Sequence, residues 1–221
     1  MFDVELFERL LRARGSSFGL PLSVALETAS TNDDALAAAG AGAPHGATFL
    51  AERQTRGRGR RGRRWHAEAG DSLLFSVVVR SDLPLDVVPA TALAAGLAVR
   101  SAVARALGDG DTDERVGVKG ANGVWGEQKK NAGVLSESQL QGGAVVASVV
   151  GVGINVRTTA FPDEIAASAT SLALAGSAVG REALLADVLG GLERTLWKLT
   201  RGGVSSLHEE LTRFDVLAGR S

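Results

Sequence analysis

Between Gln54 and Trp65 the chain alternates small and cationic residues, reading QTRGRGRRGRRW. Arg56, Arg58, Arg60, Arg61, Arg63 and Arg64 gather planar, permanently charged donors, the chemistry that pairs with phosphate or carboxylate oxygens. Gly57, Gly59 and Gly62 let the backbone turn and lie close to a ligand. Like charges this dense repel until an anion arrives, so the segment is expected to be mobile when empty and ordered when occupied. Read alone, it serves equally as a solvated basic loop touching RNA.

Gly57 to Gly62 also fits G-x-G-x-x-G, with Asp82 near the place of a ribose-binding acid. The next strand follows Gly62 too closely for a crossover helix, so a dinucleotide fold is rejected. The acidic run Asp109 to Glu114 starts like a calcium loop. It fails where that loop needs glycine (Glu114) and glutamate (Gly120). Further residues of interest are Ser30-Thr31-Asn32, Lys130 beside Lys129, and the glycine-spaced Gly151-Val-Gly153-Ile-Asn155. Each has a plain structural use. Ser30 can cap a helix, Lys130 can be a surface charge, Gly151 and Gly153 can mark a bulge, and Trp65 can belong to the core.

The elements that position these residues follow from periodicity. Val4, Leu6, Phe7, Leu10 and Leu11 make a short amphipathic helix over 4–14. Pro21–Glu27 and Ala47–Glu52 read as strands, separated by a helix opened at Ser30-Thr31-Asn32 and running to about Ala39. Gln54–Asp71 is a long polar loop. Ser72–Arg80, rich in branched residues, is a buried strand. Val87–Leu107 is a helix with Leu93, Leu97 and Val103 on one face, and its small residues Ala94, Ala95, Gly96 and Ala98 suit close packing on a sheet. Strands follow at Arg115–Lys119, Ala132–Ser138 and Val145–Val156, then helices over about 162–170, 178–200 and 204–214. Grouped strands with interspersed helices predict an α+β fold, a mixed β-sheet flanked by helices.

Composition limits the function classes. With 24 basic and 25 acidic residues, the near-neutral chain does not suit a general nucleic-acid binder. The absence of cysteine excludes disulfides, thiolate metal sites and a cysteine nucleophile. His45, His66 and His208 lie too far apart in sequence to suggest a metal motif. The charged start is no secretory signal, and the apolar runs are too short to span a membrane, so a cytoplasmic location is expected.

GRGRRGRRW (57–65), VKGANGVWGEQKKNAGVLSE (118–137), GVGIN (151–155) and ATSL (169–172) occur together in this order. The arrangement resembles the biotin protein ligases over roughly residues 22–215. The resemblance implies that family's catalytic fold, with biotin and ATP as substrates and magnesium on the triphosphate. It implies formation of biotinyl-5′-AMP, then transfer to a lysine of a biotin carboxyl carrier domain. It also implies site roles. Ser30, Thr31, Asn32 and Gln54 would hold the ureido ring of biotin, with Gly57, Arg58, Gly59, Gly151 and Gly153 along it. Arg60, Arg63, Trp65, Asn122 and Asn155 would meet the nucleotide. Lys130 would contact the biotin carboxylate and the α-phosphate, with Lys130 and Arg60 as the catalytic pair. No DNA-binding or membrane partner is expected, and a homodimer is compatible.

Two departures stand out. The family's Lys-Trp-Pro-Asn-Asp is Lys119-Gly-Ala-Asn122-Gly123 here. Loss of the aromatic, the proline and the carboxylate is expected to loosen this strand end and weaken adenylation. Many family members also end in a small β-barrel, whereas this chain, read as a single catalytic domain over 1–221, stops where it would begin. A catalytically weakened biotin-binding homologue and a lipoate or octanoate ligase of the same fold are the alternative readings.

Overall fold

The computed structural model describes residues 1–59, 62–80, 84–85, 87–108, 115–120, 123–126, 128–141 and 144–216. The expected positions Arg60 and Asn122, and the acidic run over 109–114, lie outside these residues. A seven-stranded sheet organises the chain, in the order β1-β2-β3-β7-β6-β5-β4. The strands are β1 (Leu22–Thr28), β2 (Thr48–Gln54), β3 (Ser72–Val79), β4 (Val116–Lys119), β5 (Gly123–Gly126), β6 (Lys129–Gln141) and β7 (Ala144–Asn155). The helices are α1 (Val4–Ala13), α2 (Thr31–Gly40), α3 (Thr91–Ala106), α4 (Asp163–Ala166), α5 (Arg181–Gly202) and α6 (His208–Phe214). β1 and β2 run parallel, joined by the crossover helix α2; the other pairings are antiparallel. The expected mixed sheet flanked by helices is thus present.

Each face of the sheet has its own cover. Leu73, Phe75, Val77, Val150, Val152 and Ile154 point toward α3 and α5 in the main core. Val78 and Val149, on the other face, pack under Ala35 and Ala39 of α2. Covered on both sides, β3 is buried along its whole length, which explains its unbroken apolar run. The small residues of α3 serve two neighbours. A Cβ on Gly96 would meet Val118 of the sheet, and Ala98 lies against Gly191 of α5.

The structure corrects one reading, the helix over 162–170, and adds two features. β5 is a strand that its glycines conceal, paired with β4 and β6. The helix expected over 162–170 ends at Ala166, because Ser168 and Thr170 exchange backbone hydrogen bonds with Lys130. The polar loop after β2 is folded on itself. Gly59 N donates to Arg63 O at 2.7 Å, and Trp65 N donates to Gly57 O at 3.0 Å. Among the described residues, no helix is long and apolar enough to cross a membrane.

Candidate functional site

Alternation along β7 sorts its side chains. Val150, Val152 and Ile154 enter the core, so Gly151 and Gly153 face the opposite side, beneath the start of α2. Both glycines are spatially required. A Cβ at 151 would lie 1.9 Å from Asn32 Oδ1, and one at 153 would lie 2.6 Å from the Trp65 ring. Gly133 of β6 stands directly opposite Gly153, and a Cβ there would lie 2.9 Å from Trp65. Paired glycines on adjacent strands thus form a slot for the indole, whose Nε1 is buried with no hydrogen-bond partner among the described residues.

Lys130 reaches the same face through a bulge. The β5–β6 register passes from Val124↔Ala132 to Trp125↔Lys130, leaving Asn131 as the extra residue. In a regular strand, residues 130 and 133 would face opposite ways. Here Lys130 Nζ lies 3.3 Å from the position of a Gly133 Cβ and 5.4 Å from the Trp65 ring centroid. The ATSL segment braces the bulge. Lys130 N donates to Ser168 O, Thr170 N donates to Lys130 O, and Asn155 Nδ2 donates to Thr170 O. Burial, and then the nearby charge of Arg63, push the Lys130 amine below the ordinary lysine range.

The amino end of α2 supplies the polar wall. Ser30 occupies the N-cap position, but its side chain makes no capping bond. Gln54 does that work instead, its Oε1 accepting from Thr31 N at 2.8 Å. This leaves the Ser30 hydroxyl to the cleft. Thr31 Oγ1 lies 2.7 Å from Ser76 Oγ, which lies 2.6 Å from Asn32 Oδ1. Asn32 Nδ2 donates to Glu137 Oε2 at 2.6 Å and to Leu135 O at 3.4 Å. Arg58 is held by two carboxylates, Asp33 at 2.7 Å and Glu137 at 3.0 Å.

Ser30, Thr31, Asn32, Gln54, Arg58, Gly59, Trp65, Lys130, Gly151 and Gly153 therefore line one open cleft of about 490 Å³. Gly57 lines an adjoining cleft of about 950 Å³ with Arg53, Arg64, His66, Phe161 and Pro162; Gln54 and Trp65 belong to both. Asn155 and Arg63 line neither. Ser76 and Glu137 went unnoticed in the sequence. The signal for Ser76 was a lone hydroxyl inside the apolar run of β3; for Glu137 it was the acidic close of the 118–137 motif. Among the described residues, no group of three or more His, Cys, Asp or Glu could hold a metal.

Electrostatically the cleft is divided. At the Ser30 end, Arg58 is more than offset by Asp33 and Glu137; at the Trp65 end, Lys130 and Arg63 are cationic neighbours. The altered 119–123 segment has its own packing. Lys119 Nζ stacks 4.1 Å from the Trp125 ring, and a Cβ at Gly123 would meet Trp125 Nε1 at 2.9 Å. Trp125 thus fills the space that a side chain at 123 would need.

Sequence and structure comparisons place the chain among known relatives. A biotin--[acetyl-CoA-carboxylase] ligase of Mycobacterium tuberculosis is 42% identical over 153 residues, covering 68% of this chain and 54% of the relative. The bifunctional ligase/repressor BirA of Bacillus subtilis is 36% identical over 163 residues, covering 72% of this chain and 49% of the relative. The chain thus spans about half the length of the curated relatives it matches. A biotin protein ligase from Aquifex aeolicus, solved with biotin and ATP, superposes with a TM-score of 0.74 at 27% identity, over 88% of this chain and 78% of that one. The family model for biotin/lipoate A/B protein ligases matches residues 28–155, the stretch that carries the α2 terminus, the glycine slot and Lys130. By that match, and by the relatives that share it, the chain belongs to the biotin/lipoate A/B protein ligase family.

Proposed function

We propose that this chain joins biotin to ATP, forming biotinyl-5′-AMP and pyrophosphate, and then passes biotin to a lysine of a biotin carboxyl carrier domain. The divided charge of the cleft carries the reading. Biotin has a neutral, polar ureido head and an anionic tail. The pocket at Ser30, Thr31 and Gln54, where two carboxylates more than offset Arg58, has no excess positive charge and suits the neutral head, and Lys130 suits the carboxylate. A relative named as a biotin--[acetyl-CoA-carboxylase] ligase and a solved biotin protein ligase support it.

In the first step a carboxylate oxygen of biotin attacks the α-phosphorus, and pyrophosphate leaves. Lys130 neutralises the two anions as they meet, and Arg63, whose charge is felt at Lys130, would serve the phosphates, as Arg60 would by the family resemblance. Arg58, tied to Asp33 and Glu137, belongs with the head of biotin and not with the phosphates. The adjoining cleft would take the nucleotide, with Trp65 between the two compartments. Magnesium arrives on the triphosphate as part of that substrate. In the second step the uncharged carrier amine attacks the mixed-anhydride carbonyl, loses a proton and releases AMP.

The direct test is calorimetric titration with biotin, with and without magnesium-ATP, followed by analysis for biotinyl-5′-AMP. Binding with adenylate formation is expected; no binding of biotin defeats the reading. Lipoate in parallel separates the two substrate classes.

The glycine slot makes a sharper expectation. In Gly153→Ala the new methyl must displace Trp65. Overpacking of this kind costs about 1–3 kcal/mol. Biotin affinity is expected to fall about tenfold or more, with a blue or red shift of tryptophan emission. Unchanged affinity would mean that the slot does not shape the site.

The departure at 119–123 can be tested by restoring the family residues. Gly120 has φ +60°, so a tryptophan there is strained by about 1–3 kcal/mol, and an aspartate at 123 collides with Trp125. The combination Gly120→Trp, Ala121→Pro and Gly123→Asp is therefore expected to raise adenylate formation only when joined by Trp125→Leu. A gain without the fourth change would show that Trp125 moves aside freely.

A further inference from the structure

Resting on the ureido reading above, we propose that Ser76 and Glu137 are positioning residues that fix the hydrogen-bond polarity of the headgroup pocket, although neither lines the cleft. The argument begins at Glu137, whose carboxylate is ion-paired with Arg58 and accepts hydrogen bonds only. The Asn32 atom 2.6 Å from it must then be the amide nitrogen, and the carbonyl of Leu135 demands the same orientation. Asn32 Oδ1 consequently points at Ser76, 2.6 Å away. An amide oxygen cannot donate, so the single proton of Ser76 goes to Asn32.

Ser76 Oγ then has only lone pairs left for Thr31 Oγ1, 2.7 Å away. The Thr31 hydroxyl proton is kept inside the protein, on Ser76 Oγ or on Gln54 Oε1, which lies 3.2 Å from Thr31 Oγ1, and a Thr31 lone pair is turned to the cleft. Gln54 is fixed as well. Its Oε1 accepts from Thr31 N, so its Nε2 is a donor. The carboxylate at the edge of the site thus favours Thr31 as an acceptor, and the Thr31 backbone N–H makes Gln54 a donor. This is the complement of a cyclic urea, which offers ring N–H groups beside a carbonyl oxygen. Ser76 is fully buried, so water does not compete for these protons.

The relay gives the site a means of choosing ligands by proton direction as well as by shape. The probes are biotin and its two cyclic-carbamate analogues, each with one ring N–H replaced by oxygen. The wild-type protein is expected to prefer biotin over the analogue that turns an oxygen toward Thr31, by about 10²-fold or more, because two acceptors then face each other. Ser76→Ala removes the nearer of the two acceptors for the Thr31 proton and leaves only Gln54 Oε1, at 3.2 Å. Thr31 can then donate to the carbamate oxygen, and the preference is expected to fall at least tenfold. Glu137→Ala, at a partly exposed position, is expected to do the same by freeing Asn32 to flip.

Calorimetric affinities for the three ligands, with thermal melts as a folding control, decide the matter. Equal losses of affinity for all three ligands in both variants would mean a structural role only, and would overturn the relay. So would a loss of discrimination in Glu137→Ala with none in a folded Ser76→Ala, since the Arg58 contact would then be the cause. Should Ser76→Ala fail to fold, retained discrimination in Glu137→Ala overturns the relay by itself. Wild-type protein that binds no biotin overturns the ligase reading, and this inference with it.

Discussion

Lys130→Ala is expected to slow adenylate formation by about 10²–10³-fold at saturating biotin and ATP, the usual cost of removing one preorganised charge from a transition state. On the function proposed above, the lysine serves the tail of biotin and the α-phosphate, and the bulge at Asn131 leaves its backbone little freedom. Biotin affinity should change far less, because the head of the ligand is held at the other end of the cleft. Lys130→Arg keeps the charge but presents a wider, planar group, and is expected to recover only part of the rate. Pyrophosphate release is the assay. A rate within threefold of wild type for Lys130→Ala would remove this residue from the chemistry.

The same lysine should leave a mark on the pH profile. Burial, and then Arg63, lower its pKa in the empty protein. The cationic form is the useful one, so activity is present below that pKa and lost as pH rises through it. The alkaline limb of kcat/KM should therefore lie below that of an ordinary lysine. Bound biotin carboxylate opposes the shift, so the limb in kcat should lie higher than that in kcat/KM.

The second large effect is on stability. Arg181 at the start of α5 donates to both carboxylate oxygens of Glu52 on β2, at 2.7 and 3.1 Å, and Phe2 N donates to Glu52 at 2.6 Å. Both side chains are buried. Arg181→Met leaves a carboxylate buried without its partner, a change that costs about 3–5 kcal/mol. Against a total stability of about 5–15 kcal/mol, this is a large fraction. Glu52→Leu combined with Arg181→Met should recover most of the loss, since no charge is then stranded. Urea unfolding at pH 7 measures both.

The pH dependence has a definite sign. Burial disfavours the charge on Glu52, but the hydrogen bonds from Arg181 and Phe2 N and the adjacent guanidinium outweigh it and hold the carboxyl below its ordinary range. A depressed carboxylate contributes stability that is full above its unfolded pKa, about 4.3, and is lost as pH falls through the folded value. In Arg181→Met that contribution is gone. The stability gap between wild type and variant should therefore narrow from pH 7 toward pH 3. A gap that stays constant or widens would mean that Glu52 is not charged in the folded protein.

Much of this protein was legible from sequence, because the relevant signals are local. Alternation in GVGIN placed Gly151 and Gly153 on one face of a strand. The Ser-Thr-Asn run marked a helix start, and the apolar run of β3 announced a strand covered on both sides. The arginine-glycine loop and Lys130 were singled out as candidates by residue type and, through the order of the motifs, by the family resemblance. Only the tertiary structure decided what each residue faces. Gln54, and not Ser30, caps α2, because β2 ends beside that helix. Trp65 lies across Gly133 and Gly153, because β6 and β7 pair in the register that sets those glycines opposite each other. Lys130 turns to the cleft through a bulge that no periodicity reveals, fastened by residues 168–170. Ser76 and Glu137 gain meaning only through Asn32, which touches both. Propensity and alternation act over a few residues of chain. Hydrogen-bond direction, charge balance and close backbone approach are set by groups tens of residues apart in sequence, which meet only once the sheet has closed.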